Sequence, residues 1–218
     1  MYYKIEIAMS KNVLKIVMAL LLVVFSMPFV NAQVHVGDIL CEGDRVVSPT
    51  IFSSEDNGAI AVVFYVDGSG KHGWAVALHD SGNFAWGPNC YNSPLRDCTQ
   101  LSNATANLDG YKNTGVILEN RSDHPAFNAL DYENGWYLPA AGQLKRLYSK
   151  IDKVNASLSA VGGDELFPED PNWECWSSTE YNVASAWYMN ASGVLRFKDQ
   201  TYNGTKDARR VVRGVINF

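Results

Sequence analysis

The last third of the chain consists of short strand-like pieces that continue to the C-terminus. The segments at 175–181 (CWSSTEY), 186–190 (AWYMN) and 209–213 (RRVVR) are separated by small polar residues, and two of them contain tryptophan. Short runs rich in aromatic and β-branched residues, bounded by turn residues, are typical of strands. This stretch predicts a display surface rather than a catalytic pocket, and it limits the fold more than any other part of the sequence.

The N-terminus has the regions of an export signal. Three lysines within the first fifteen residues precede the apolar run at 16–25 (IVMALLLVVF), and small residues follow at 30–32 (VNA). A membrane-spanning helix needs about 20 apolar residues, and this run is shorter. The sequence therefore predicts a signal peptide at 1–32 and a single domain at 33–218. We expect an exported protein, located in the periplasm, at the cell surface or in the medium.

The charge balance argues against nucleic acid or an anionic membrane as a partner. The chain has 18 lysine and arginine residues against 23 aspartate and glutamate residues, a net charge of −5, and no extended basic run. Binding to phosphate backbones or anionic lipid requires clustered positive charge. We therefore expect no nucleic-acid partner, and contact with a membrane only through the export signal.

Four cysteines follow the predicted signal peptide: Cys41, Cys90, Cys98 and Cys175. An even number of cysteines in an exported chain favours disulfides, and four cysteines allow three pairings. Cys90 and Cys98 flank a short loop, so a local bridge between them is the first choice, and this leaves Cys41 with Cys175. No CxxC pattern occurs and the four histidines are scattered, so the sequence indicates no metal site.

The first half of the domain shows a hairpin signal. Residues 33–52 are polar and rich in turn residues, which predicts an edge hairpin. Two apolar runs, at 58–66 and 74–78, are joined by an Asp-Gly turn and predict a β-hairpin that is buried on both faces. Residues 79–112 are predicted to form a loop with one helical turn near 99–107.

The second half predicts helices and then strands. A short helix is expected at 124–132, and apolar residues at helical spacing predict a longer helix from Pro139 to about Leu158. The remaining segments are expected to be strands, at 175–177, 184–189, 194–197 and 210–216. Because strands and helices occur in separate runs, the sequence predicts an α+β domain.

Four sequence elements occur in a fixed order near the C-terminus: GWYLP at 135–139, WSSTEY at 176–181, AWY at 186–188 and VVR at 211–213. With a helix after the first of them, they resemble the Lcl C-terminal domain-like family. The resemblance implies a C-type-lectin-like fold. In that fold the N-terminal hairpin pairs with the C-terminal strand, two helices pack on the sheet, and a β-meander ends the chain.

The same resemblance implies a function in binding or adhesion at a bacterial cell surface, with the ligand-facing surface on the later strands and loops. The partner would be a glycan or a protein. Some relatives are receptors whose C-terminal strands are diversified by a retroelement, which is one alternative for this chain. A structural subunit of a surface assembly is another.

Polar and aromatic side chains beside the predicted turns are the candidates for ligand contact, because tyrosine and asparagine are enriched at binding surfaces. The candidate ligand-binding residues are Glu180, Tyr181, Asn182, Tyr188, Asn190 and Arg196. Glu180 has a second interpretation, as part of a polar capping cluster with Ser178 and Thr179. The nearby tryptophans are expected to pack in the core: Trp136, Trp176 and Trp187.

The sequence predicts no catalytic residue and no cofactor. Calcium needs six to eight oxygen ligands, and the acidic residues between 164 and 174 are close enough in sequence to supply some. The Glu-Pro-Asn and Gln-Pro-Asp patterns of calcium-dependent lectins are absent, which favours a solvated acidic loop.

The enzymatic alternative is a relative of the formylglycine-generating type, which the segment from Arg210 to Gly214 superficially resembles. That class relies on reactive cysteines late in the chain, and no cysteine follows Cys175. No GxSxG, HExxH or P-loop pattern occurs either. We therefore expect a protein that is not an enzyme.

Overall fold

A computed structural model describes residues 33–53, 58–88, 93–120, 123–197 and 206–218, and residues Val34–Phe218 belong to one compact unit. The strands are β1 (Ile39–Cys41), β2 (Arg45–Val47), β3 (Ala59–Val66), β4 (Gly73–Ala77), β5 (Gly82–Ala85), β6 (Glu174–Asn182), β7 (Ser185–Asn190), β8 (Leu195–Arg196), β9 (Arg209–Val212) and β10 (Val215–Asn217). The α-helices are α1 (Leu101–Ala106), α2 (Gly110–Asn120), α3 (Pro125–Asn128), α4 (Ala141–Tyr148) and α5 (Ile151–Ala160). The predicted signal peptide lies outside the described residues. None of the described helices has the length and apolar character that a membrane span requires.

The first sheet contains the predicted hairpins. Its strand order is β10-β4-β3-β1-β2, and every neighbouring pair is antiparallel. The β3–β4 hairpin is buried on both faces, as its continuous apolarity predicts: Val62 and Phe64 face the main core, and Ala61 and Val63 face a second cluster. Because β10 pairs with β4, the C-terminal segment closes the edge of this hairpin.

The second sheet has the strand order β5-β9-β6-β7-β8. Strands β6, β7 and β8 form an antiparallel meander, and β9 lies parallel to β6 on its other side. The predicted strand at 210–216 is therefore two strands that belong to different sheets. The chain crosses between the sheets at Arg213 and Gly214, and the Arg213 guanidinium donates hydrogen bonds of 2.8 Å to the carbonyl oxygens of Ala77, Leu78 and Asp164.

Helices α4 and α5 replace the single helix that the periodicity predicts from Pro139 to Leu158. The chain leaves helical geometry at Lys150, where φ is −122° and ψ is 13°. Both helices still direct their apolar residues to the same side, because Leu144, Leu147, Val154 and Leu158 all lie in the main core between the helices and the sheets. The α+β class is confirmed. Helix α2 and strand β5 were not predicted.

Candidate functional site

Trp176 and the two serines that follow it are internal parts of the second sheet. The indole N–H of Trp176 donates to the carbonyl oxygen of Phe84 at 2.9 Å, and Ser177 Oγ donates to the carbonyl oxygen of Trp187 at 2.7 Å. Ser178 receives a hydrogen bond from Asn113 of α2 at 3.0 Å. Trp176 and Trp187 are buried, whereas Trp136 is only partly buried. This segment joins β5, β7 and α2 and presents no side chain to a ligand.

Glu180 is buried and forms an internal ion pair. Its carboxylate accepts from the ammonium group of Lys206 and from the hydroxyl of Ser93, and both partners are buried as well. Burial raises the pKa of Glu180, and the contacts with Lys206 and Ser93 act in the opposite direction. The structure thus places Glu180 away from solvent, and its partners are distant in sequence rather than the neighbouring Ser178 and Thr179.

Tyr188 is also an internal residue. Its side chain is only 7% exposed, and the Arg210 guanidinium lies 3.9 Å from its ring centroid and 4.2 Å from that of Trp176. Arg210 Nε donates to Glu174 Oε2 at 2.7 Å. Arg196 pairs with Tyr188 across β7 and β8 and is exposed. Of these two predicted ligand residues, only Arg196 is accessible.

Asn182 and Asn190 stabilise the turns on either side of β7. Asn182 Oδ1 accepts from the backbone N–H groups of Ala184 and Ser185 at 2.9 and 3.0 Å, and Asn190 Oδ1 accepts from that of Val194 at 2.9 Å. Asparagine commonly closes turns in this way. The second turn also needs Gly193, which has φ of 68° and whose added Cβ would lie 2.2 Å from the Tyr148 ring.

Tyr181 belongs to a partly exposed aromatic cluster. Its ring stacks on Phe197 at 3.8 Å and meets the buried Trp187 ring edge-on at 5.6 Å. Phe197 is 36% exposed, and Val183 in the adjoining turn is 41% exposed. We call Tyr181 and Phe197 the aromatic pair. Neighbouring residues of a strand face opposite sides of the sheet. The aromatic pair lies on the Trp187 side of β7, whereas Arg196 lies on the Tyr188 side. The six predicted residues therefore do not form one site.

A cavity of about 290 Å³ lies between the segment at 95–98, helices α1 and α2, and the end of β6. We call it the amide cavity. Its polar lining is Arg96, Asn103, Asn107, Asn113 and Glu180. Of this set, only Glu180 is among the ligand-binding residues that the sequence predicts, and the structure buries it at the floor of the cavity.

The amide cavity and the aromatic pair adjoin the same stretch of backbone. The backbone N–H of Cys98, which lines the cavity, donates to the carbonyl oxygen of Glu180 at 3.1 Å. The carbonyl oxygen of Cys98 accepts from the indole N–H of Trp187 at 2.7 Å. Asn103 and Asn107 are one helical turn apart, and this spacing was the sequence signal that could have revealed a shared face.

The cysteines differ from the expected pairing. Cys41 lies in the first sheet in contact with Ile39 and Val47, whereas Cys175 lies in the second sheet and carries a free thiol. The Cys41–Cys175 bridge is therefore absent. Cys98 is likewise a thiol, whose Sγ lies 3.6 Å from the carbonyl oxygen of Arg96, and its predicted partner Cys90 lies outside the described residues. Burial raises the pKa of Cys98 and raises that of Cys175 to about 12.

The acidic segment between 164 and 174 has internal partners at both ends. Asp164 lies 3.3 Å from His79 Nδ1, and a hydrogen bond from the backbone N–H of Asp80 holds the pKa of Asp164 below its usual range. Glu174 is paired with Arg210. Among the described residues, no three histidine, cysteine, aspartate or glutamate side chains come together as a metal site.

The sequence matches no protein-family model and no curated protein. Among solved structures, the chain is similar to a fimbrial protein from Bacteroides ovatus ATCC 8483, with a TM-score of 0.63 and 20% sequence identity. The match covers 85% of this chain and 49% of the fimbrial protein, so the chain spans about half the length of that protein. At this identity the similarity shows a shared fold.

Proposed function

We propose that the chain is an exported, adhesion-type binding protein with a C-type-lectin-like fold, which contacts its partner through the aromatic pair. The fold assignment is supported by the order of the four sequence elements, by the pairing of β10 with β4, and by the β6–β7–β8 meander. The membership in the Lcl C-terminal domain-like family is part of the same proposal. We propose no catalytic activity for this chain.

The partial exposure of the aromatic pair carries this proposal: Phe197 is 36% exposed, and Val183 in the adjoining turn is 41% exposed. Exposed apolar groups that lie together mark interaction sites, whereas single ones do not. Phe197 is held in place by stacking on Tyr181 and by an edge contact of 4.8 Å with Trp187. A rigid aromatic group loses little conformational entropy on binding, which is why aromatic residues dominate binding hot spots. We propose a protein on a cell surface as the partner.

A screen of the purified protein against protein and glycan arrays, with and without calcium, tests this function. The proposal predicts a protein partner whose binding does not require calcium and is lost on Phe197→Ser. Binding confined to glycans, or binding that depends on calcium, would contradict it.

A second candidate is a structural subunit of a surface fibre, which the similarity to a fimbrial protein favours. A fibre subunit binds copies of its own chain or neighbouring subunits, so the purified protein would form polymers without any added ligand. Size-exclusion chromatography with electron microscopy distinguishes the two, because a binding protein stays the same size until its partner is added.

A further inference from the structure

The amide cavity has the size of a site for one small ring. Cavities that hold drug-sized ligands measure about 300–1,000 Å³, and this one, at about 290 Å³, is at the lower limit. Its walls also contain the apolar side chains of Leu95 and Ala106. A ligand that fits must therefore be small, largely polar at its edges, and able to place some carbon–hydrogen surface against these two residues.

Two of the three cavity amides are held by hydrogen bonds, and all three still have free hydrogen-bonding capacity. Asn113 Nδ2 donates to Asn107 Oδ1 at 3.3 Å and to Ser178 Oγ at 3.0 Å. Asn113 is 9% exposed, and its Oδ1 accepts no hydrogen bond from the described residues. An amide has two donor hydrogens and an accepting oxygen. These hydrogen bonds leave Asn113 Oδ1, Asn107 Nδ2 and the Asn103 amide without a partner among the described residues, and all three residues line the cavity.

The buried carboxylate of the cavity is paired with an internal cation. The Glu180 carboxylate accepts from Lys206 and Ser93, so its negative charge is neutralised by a residue outside the cavity lining. Arg96 is exposed and contributes a guanidinium at the rim. Neutral groups that combine donors and acceptors match the hydroxyl groups of a sugar, each of which donates one hydrogen bond and accepts others.

From this arrangement we infer that the amide cavity binds one pyranose ring of a glycan, without a metal ion. The ring hydroxyls hydrogen-bond to the amides of Asn103, Asn107 and Asn113, and the ring C–H groups pack against Leu95 and Ala106. This site is separate from the aromatic pair and does not depend on the proposed adhesive function.

An NMR titration of the purified protein with D-glucose, D-galactose, D-mannose and N-acetyl-D-glucosamine, in the presence of EDTA, tests the inference. At least one sugar is expected to shift the side-chain amide signals of Asn103, Asn107 and Asn113 in a saturable way. The expected Kd is on the order of 1 mM, because a ligand of this size has few atoms that contribute to binding.

Two variants and a control locate the site. Asn103→Leu removes an exposed amide that makes no side-chain hydrogen bond within the described structure, and Ala106→Phe fills the cavity from an exposed helical position. Each is expected to weaken sugar binding at least tenfold. Asn120→Leu, an exposed change on α2, leaves binding unchanged. The inference is overturned if none of the four sugars shifts the three amide signals, or if Asn103→Leu and Ala106→Phe bind the sugar as tightly as the unchanged protein. No cell-surface partner is needed, so this result is independent of the array screen.

Discussion

The ammonium group of Lys206 is paired with the carboxylate of Glu180, and both side chains are fully removed from solvent. The two residues are 26 positions apart, and the pair joins the end of β6 to the segment that enters β9. Ser93 binds the same carboxylate, so three separate parts of the chain meet there. Glu180 is therefore an anchor for the segments that surround the amide cavity.

Glu180→Gln is expected to lower the free energy of unfolding by about 3–5 kcal/mol, because it removes the carboxylate charge that is in contact with the buried Lys206 ammonium. Denaturant titration of the purified protein measures the change. The exposed change Glu119→Gln is the matched control and is expected to have an effect below about 0.5 kcal/mol. If the two variants were equally stable, the ion pair would have no anchoring role.

Arg213 is expected to be as important for stability as the Glu180–Lys206 pair. It is 1% exposed, donates to three carbonyl oxygens, and lies 2.8 Å from Asp80 Oδ1. Arg213→Met should cost about 3–5 kcal/mol, because it leaves the partly buried Asp80 carboxylate and the three carbonyl oxygens without this donor. Arg209→Met, a change at an exposed position in the same segment, provides the comparison in thermal or denaturant unfolding. Similar losses in both variants would be inconsistent with this role.

The Cys175 thiol should not react while the protein is folded. Burial raises its pKa to about 12, and only the thiolate is alkylated, so the reactive fraction at pH 8 is very small. Iodoacetamide at pH 8 is expected to leave Cys175 unmodified in the native protein and to label it fully in guanidinium chloride without reductant. Mass spectrometry of non-reduced peptides that showed Cys41 linked to Cys175 would contradict this.

Asn182 is expected to affect stability and not ligand binding. Its Oδ1 accepts two backbone N–H groups in the β6–β7 turn, and a hydrogen bond of this kind contributes about 0.5–1.5 kcal/mol. Asn182→Ala should therefore destabilise the protein by about 1–2 kcal/mol in denaturant unfolding. Asn182→Asp keeps the accepting oxygen and should retain most of the stability. A loss of partner binding in Asn182→Asp with unchanged stability would instead assign Asn182 to the contact surface.

Local patterns in the sequence predicted most of the strands. The spacing of apolar residues and the residue types in the turns identified the β3–β4 hairpin and the β6–β7–β8 meander, because hairpins and meanders depend on residues that are close in sequence. The division of 210–216 between two sheets depends instead on Arg213 and its partners near residues 77–80 and 164. Such contacts between distant segments have no local pattern.

Helix α2 shows why a helix was missed. Its sequence, GYKNTGVILEN, contains two glycines and two β-branched residues in its second half, which have low helix propensity. Tertiary packing requires the glycines: a Cβ at Gly110 would lie 2.5 Å from the carbonyl oxygen of Leu138, and one at Gly115 would lie 2.4 Å from Tyr132 Oη. Close packing therefore outweighs local preference in this helix.

The candidate site was predicted less well than the fold. The sequence could show that Glu180, Tyr188 and Asn190 are polar or amphipathic residues near turns. It could not show that Lys206 and Val194 bind the side-chain oxygens of Glu180 and Asn190, or that Arg210 covers the ring of Tyr188. Exposure decides between an internal contact and a ligand contact, and it depends on the whole fold. For the same reason Phe197 and the asparagines of the amide cavity were not selected.

Binding of the partner from the array screen to Phe197→Ser is the decisive test of the proposed contact surface. Ile51→Ser is the matched control, because Ile51 is an exposed apolar residue, 72% accessible, in the segment after β2. Ile51→Ser should unfold at nearly the same denaturant concentration as the unchanged protein. Phe197→Ser loses its ring contacts with Tyr181 and Trp187 and should unfold at a lower denaturant concentration, while remaining folded under the conditions of the binding assay. In surface plasmon resonance, we expect at least a tenfold rise in Kd for Phe197→Ser and no change for Ile51→Ser. Equal affinity of the two variants for the partner would show that the aromatic pair is not the contact surface.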